Sequence, residues 1–186
     1  PSSTNGGEFD ADYTTMLVRN YRSHPAIIEV PSRSFYDDRL VPHADPERVR
    51  SLLSWEGLAN PGPDVDFPVL FHGVVGRDER EGNSPSWFNT EEVLAVARHI
   101  KSLRRLPRRC GFTLDQVGVI TPYHKQKLKL RTLLRARGME AVRVGTTEEF
   151  QGGEKRVIII SLTRSSPEHA SFDARYHLGF LSNPQR

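Results

Sequence analysis

The run Val157-Ile-Ile-Ile-Ser161 constrains the fold of this chain more than any other stretch. Four β-branched residues in succession are stiff in a helix and pack well on a pleated sheet. A continuous apolar run of this kind, without alternating polar residues, is the pattern of a strand covered on both faces in a parallel sheet. The expectation is a central parallel strand at Val157 to Ser161. Parallel strands need long crossovers, usually helices. The sequence supplies them: an apolar run Phe67 to Val75, a helix, the run Val117 to Thr121, a second helix, a short Ala141 to Val144 run, and Arg156 to Leu162. That βαβα succession predicts an α/β domain with a mainly parallel central sheet flanked by helices.

Both helices carry readable ends. Asn89 followed by Glu92 is a capping-box pattern, after which Val93, Leu94, Val96, Ala97, Ile100 and Leu103 fall on one face. In the second helix Thr121 is placed to cap and Pro122 to occupy the first helical position, with Leu130, Leu133 and Leu134 as the buried stripe and Gly138 marking the end. Upstream, Tyr36 to Asp66 carries Pro42, Pro46, Pro61 and Pro63, with Pro68 just beyond, and reads as an irregular excursion with one helical turn around Glu47 to Leu53. Pro1 to Asp12 is polar and lacks an apolar period, so residues 1–15 are expected to be a disordered lead-in or linker and residues 16–186 the folded domain. At 186 residues, 37% apolar and 26% charged, the chain suffices for one unit with a real core.

Composition narrows the setting. Twenty-six Lys and Arg against 23 Asp and Glu give a net charge of +3, which permits a polyanionic partner without demanding one. The single cysteine, Cys110, excludes an internal disulfide and a multi-cysteine zinc site, and points to the cytoplasm or nucleus. No apolar run approaches the roughly 20 residues that span a bilayer, and the start lacks the apolar stretch of a signal peptide, so a soluble protein is expected.

Three clusters put polar and glycine residues just beyond predicted strands, where open α/β sheets place ligands: NYRSHP, ITPYHKQ and VGTTEEFQGGEK. In the first, Tyr21 offers a ring to stack on a base and Arg22 a guanidinium to neutralise a phosphate; otherwise Tyr21 fills the core and Arg22 pairs with an acid. In the third, adjacent Gly152 and Gly153 allow close approach of a ligand to the backbone. Glu154 suits ribose hydroxyls, or else a turn or a pairing with Lys155 or Arg156. The Thr146 hydroxyl suits a phosphate oxygen of a nucleic acid, or simply a turn. On the second helix Lys127, Arg131 and Arg135 form one stripe that either tracks a phosphate backbone or is a solvated face. Arg104, Arg105, Arg108 and Arg109 complement a helix C-terminus. Seven histidines lack metal-ligand spacing, His24 suits a structural hydrogen bond, and Trp55 and Trp87 suit anchoring of loops.

Taken in order and spacing, NYRSHP, ITPY, the VGTTEEFQG block and the terminal GFLSNPQR resemble the motifs of Upf-like superfamily 1 RNA helicases. Including PSRSFYDDRL, SLLSWEGL and EGNSPSWFN, the stretch from Leu17 to Arg186 is similar in particular to the Moloney leukaemia virus ten-like and Armitage subgroup. The resemblance implies a second RecA-like domain that faces a first, P-loop-bearing one across an ATP cleft and grips single-stranded RNA. By position Tyr21 matches the residue that stacks on adenine and Arg22 the one that reaches the γ-phosphate. Gln151, Gly152 and Glu154 match the segment at the γ-phosphate and ribose, Thr146 a contact to the RNA backbone, and Thr121 and Tyr123 a strand-end segment near RNA. ATP with Mg²⁺ is implied as a cofactor held jointly with the upstream P-loop domain; single-stranded RNA, that domain and further proteins are the implied partners, with no membrane. Residence in the cytoplasm, RNA granules included, goes with this reading.

Two departures stand out. Gly153 replaces a longer polar or basic side chain usual in the family, weakening contact there. The chain also reaches Arg186 before the stretch that carries a second catalytic arginine, so the last motif is expected to be truncated. With no G-x-x-x-x-G-K-[ST] present, the domain alone is expected not to hydrolyse ATP. The alternative is a non-catalytic RNA- or protein-binding module that keeps the RecA-like fold.

Overall fold

A computed structural model describes residues 15–58, 67–82 and 84–164. The expected lead-in therefore lies almost wholly outside the described residues, as does the tail GFLSNPQR. Where one unit is expected from length, the described residues fall into two compact units. One comprises the chain up to Ser54 with Leu58 and 67–70; the other comprises Trp55–Gly57 and the chain from Phe71 onward.

In the first unit strand β1 (Arg19–Asn20) pairs in parallel with β2 (Val41–Pro42), joined by helix α1 (Pro25–Phe35). Buried Ser32 organises the return. Its carbonyl accepts from Tyr36 N and Asp38 N, both at 3.0 Å, and its hydroxyl accepts from Leu40 N at 3.1 Å. The helical turn expected near Glu47 is α2 (Pro46–Arg50), capped by the Asp45 side chain with Pro46 in its first turn.

The second unit holds the sheet. A short antiparallel pair, β3 (Asp78–Arg80) and β4 (Trp87–Asn89), leads into α3 (Thr90–Leu103). Strand β5 (Val117–Ile120), α4 (His124–Ala136), β6 (Arg143–Gly145), α5 (Thr147–Phe150) and β7 (Val157–Ile160) follow. The last three strands form a parallel sheet in the order β6-β5-β7, with Val119 opposite Val144 and Ile159. This is the expected mixed α/β, RecA-like arrangement. Ile100, Val117, Val119 and Leu130 are fully buried, with Leu103, Leu134 and Met139 close to it. Helices α3 and α4 pack on each other, and α4 also packs on β4 and β6; their expected apolar faces bury as predicted apart from Leu94 and Leu133, which are half-buried.

Three expectations are corrected. The central strand is β5, and β7 is an edge among the described residues, with Ile158 at 43% and Ile160 at 61% exposure. A run of β-branched residues states a preference for sheet, not the position of a strand within it. Phe67 to Val75 forms no ladder; Phe71 and Val75 are at the surface. Finally, Thr121 does not cap α4, whose N-cap is Tyr123 without a side-chain bond, because the Thr121 hydroxyl is engaged elsewhere. The other end of α4 is as read: Gly138 has φ of 63°, Met139 N donates to Leu134 O at 2.8 Å, and Gly138 N to Arg135 O at 3.0 Å, a complete Schellman closure. Among the described residues no helix is long and apolar enough to cross a membrane.

Candidate functional site

The first cluster is built by one side chain. At the end of β1, Asn20 Oδ1 accepts from Arg22 N at 3.0 Å and Ser23 N at 2.8 Å, the closed turn that asparagine makes with its own following backbone. The turn sets Tyr21 outward at 66% exposure, its ring 5.4 Å from that of His43, with exposed Arg22 beside it. Tyr21 thus does not fill the core. His24 next closes the start of α1: buried, it accepts from Ala26 N through Nδ1 at 3.2 Å, the structural bond expected of it, and Pro25 opens the helix.

The other two clusters lie in the second unit: the residues after β5 and β6 stand at the carboxyl ends of the parallel strands, whereas Gln151 to Glu154 lead into the amino end of β7. After β6, half-buried Thr146 caps α5. Its Oγ1 accepts from Glu149 N at 3.4 Å, while Thr146 N donates to Glu149 Oε2 at 2.8 Å. The same carboxylate takes Lys127 Nζ of α4 at 3.1 Å through its other oxygen. The Thr146 N–H first, and Lys127 second, hold the Glu149 carboxyl below its ordinary pKa. Arg143 donates to the carbonyl of Glu149 and lies 4.5 Å over the ring of Phe150. Past α5 come Gln151, exposed; Gly152, whose φ of 73° suits glycine; and Glu154, exposed.

After β5 the geometry departs from expectation. Thr121 is fully buried, its Oγ1 3.3 Å from that of Thr163, and Tyr123 is 7% exposed. Neither offers a face to a polymer, so the expected RNA contacts of Thr121 and Tyr123 are corrected to a role in the core. The basic stripe is corrected at Lys127. Lys127 is buried on Glu149, and the Arg131 guanidinium donates twice to Val144 O, at 3.1 and 2.6 Å. Lys127 is thus a structural cation, whereas Arg131 and Arg135 keep exposed positions on the helix face, Arg131 with its guanidinium tied to that carbonyl.

Sequence reasoning missed a buried polar network at this edge. Gln126 Oε1 accepts from Asn89 N at 2.8 Å, and its Nε2 donates to Ser161 Oγ at 2.9 Å. Glu92 Oε2 accepts from Ser161 Oγ at 2.6 Å and from Thr163 N at 2.9 Å, while Asn89 Oδ1 accepts from Glu92 N. Half of the capping box on α3 is therefore real, and the Glu92 side chain reaches across to the chain after β7 instead of back to its cap. A signal existed: Gln126 precedes Leu130 and Leu134 at intervals of four and must share their inward face. The Trp residues anchor as expected: Trp55 Nε1 donates to Ser102 Oγ at 3.0 Å, and Trp87 lies between the Arg80 and Arg164 guanidinia at 3.8 and 3.9 Å.

Comparison with known proteins agrees with this geometry. The AAA domain family matches residues 5–186. The chain is 43% identical to the putative helicase mov-10-B.1 of Danio rerio over 96% of its length, 47% identical to the RNA helicase Mov10l1 of Mus musculus over 97%, and 37% identical to the probable RNA helicase armi of Drosophila melanogaster over 92%. It spans only 18%, 15% and 15% of those relatives, respectively. A parallel RecA-like sheet with its polar clusters at the strand ends, matched along nearly its whole length, makes this chain a member of the AAA domain family of superfamily 1 helicases, in the Mov10 and Armitage branch of the Upf-like group.

Proposed function

We propose that this chain is the second RecA-like half of an ATP-dependent RNA helicase, contributing Arg22 to ATP hydrolysis and part of the groove for single-stranded RNA. The observation that carries the reading is the Asn20-built turn, which presents an exposed ring and an exposed guanidinium side by side. Tyr21 suits stacking on adenine, and Arg22 suits the γ-phosphate. The Gly152 backbone, with Gln151 and Glu154 around it, suits phosphate and ribose. Thr146 accepts one bond through its hydroxyl oxygen and retains the hydroxyl proton to donate to an RNA phosphate. ATP with Mg²⁺, when held between this domain and a P-loop RecA-like domain of the same polypeptide, supplies the phosphoryl group transferred to water. In this reading the ion is held with the phosphates and the companion domain. Phosphoryl transfer depends on positioning and on neutralising developing charge, and an arginine supplied across a cleft does this only on closure. The names of the relatives support RNA as the polymer, and cytoplasmic residence goes with it.

The test is RNA-stimulated ATP hydrolysis by the polypeptide that joins this chain to a P-loop half, wild type against Arg22→Ala. The expected outcome is a fall in kcat of about a thousandfold with nucleotide binding retained. If neither protein hydrolyses ATP while both bind RNA, the domain is a binding module and the catalytic assignments fail.

A further inference from the structure

The ion pair between buried Lys127 and exposed Glu149 has no part in the ligand contacts proposed above, yet it adjoins those of the second unit. Glu149 belongs to a four-residue helix with a proposed RNA contact, Thr146, at its start and the proposed phosphate and ribose contacts, Gln151 to Glu154, just past its end. Through its two oxygens the Glu149 carboxylate joins the Thr146 backbone N–H to the Lys127 ammonium. Lys127 has an 8% exposed side chain and rises from the first turn of α4, beside Gln126, which fastens that turn to β4 and to the residue after β7. Holding a long, flexible lysine buried costs desolvation and side-chain entropy, so an ion pair is poor value as mere stabilisation. It does fix the height and angle of Thr146 against a rigid helix.

We infer that Lys127 and Glu149 are a positioning pair that sets Thr146 for the RNA backbone, so that the strength of RNA engagement depends on an ion pair that touches neither RNA nor nucleotide. The inference rests on the functional reading above, in particular on Thr146. Neutralising either partner frees the turn without deleting a ligand contact. Glu149→Gln keeps an oxygen for the Thr146 N–H, and Lys127→Met keeps the apolar stem of the lysine.

In the polypeptide containing the P-loop half, ATPase rate is measured against the concentration of a single-stranded oligoribonucleotide for wild type, Lys127→Met, Glu149→Gln and the double variant. Each single variant is expected to raise the RNA concentration for half-maximal stimulation about tenfold while leaving kcat at saturating RNA within about twofold, and the double variant is expected to go no further than either single one. Unchanged RNA dependence in a stimulated wild type overturns the inference and leaves the functional reading intact. A parallel loss of kcat and melting temperature in both variants overturns it in favour of a purely structural pair. A wild type that RNA does not stimulate overturns the functional reading and the inference with it.

Discussion

At the first turn of α3 the Glu92 carboxylate accepts the Ser161 hydroxyl and the Thr163 N–H, and both of those residues are buried. Thr163 needs the help. Its φ of 73° lies in the left-handed region that β-branched residues rarely enter, a backbone state costing about 1–3 kcal/mol that persists only when its surroundings determine it. Here they are the Glu92 carboxylate on Thr163 N, the Asn89 amide on Thr163 O at 3.2 Å and the Thr121 hydroxyl beside that of Thr163. Glu92→Ala leaves two buried donors without an acceptor and is expected to destabilise the domain by about 2–4 kcal/mol. Glu92→Gln, which keeps an acceptor oxygen, is expected to cost less than half of that. Urea titrations with matched slopes would check both, and equal losses for the two variants would show that the acceptor is not what matters.

Among the elements, α4 shows best what can be read from residue order and what cannot. Its apolar stripe and its end at Gly138 follow from helical spacing and from the one residue type at ease in a left-handed C-terminal turn. Gly138→Ala is expected to lower stability by about 1–2 kcal/mol, with Gly138→Asn in between, as read from melting temperatures. A helix indifferent to this position would melt alike in all three. The polar side of α4 was not legible. Whether Lys127 and Arg131 face water, RNA or a buried acceptor is decided by Glu149 and the Val144 carbonyl, residues that reach them only through the crossover. The same holds for Thr121, a good capping residue by type whose hydroxyl is turned toward Thr163 in the folded chain. Asn20 and Gly152, whose effects are local, conform to the positions their residue types indicate. β7 was recognisable as strand from its β-branched run, but its place at an edge depends on which segments pair, and the apolar Phe67 to Val75 run does not pair at all.

For the whole molecule, pH enters through His99. Half-buried on α3, its Nε2 lies 2.7 Å from Nδ1 of His72 and its ring meets Trp55 edge-on at 5.9 Å. Burial first, then the neighbouring His72 and Arg98, pushes its pKa below the ordinary 6.5. The unfolded chain therefore takes up this proton before the folded one does. The contribution is fully present above about pH 6.5 and is lost as pH falls through the interval down to the lowered value. Melting temperature is expected to fall between about pH 7.5 and 5.5, and His99→Gln to flatten that slope; an unchanged slope in the variant would assign the effect to other groups. Topology also sets a timetable. Strands β5 and β6 come together by closing a short crossover, whereas β7 must return to β5 in a register that joins Val157 to Val117, a more distant closure with a greater loss of chain entropy. The bonds from Asn89 and Glu92 to Ser161 and Thr163 span the greatest stretch of sequence at this edge, and they and the Gln126 bond to Ser161 can close only when β7 arrives. The buried polar network is thus the last part of this edge to be completed, and nascent chains will carry an α4 whose Gln126 holds only Asn89 until Ser161 arrives.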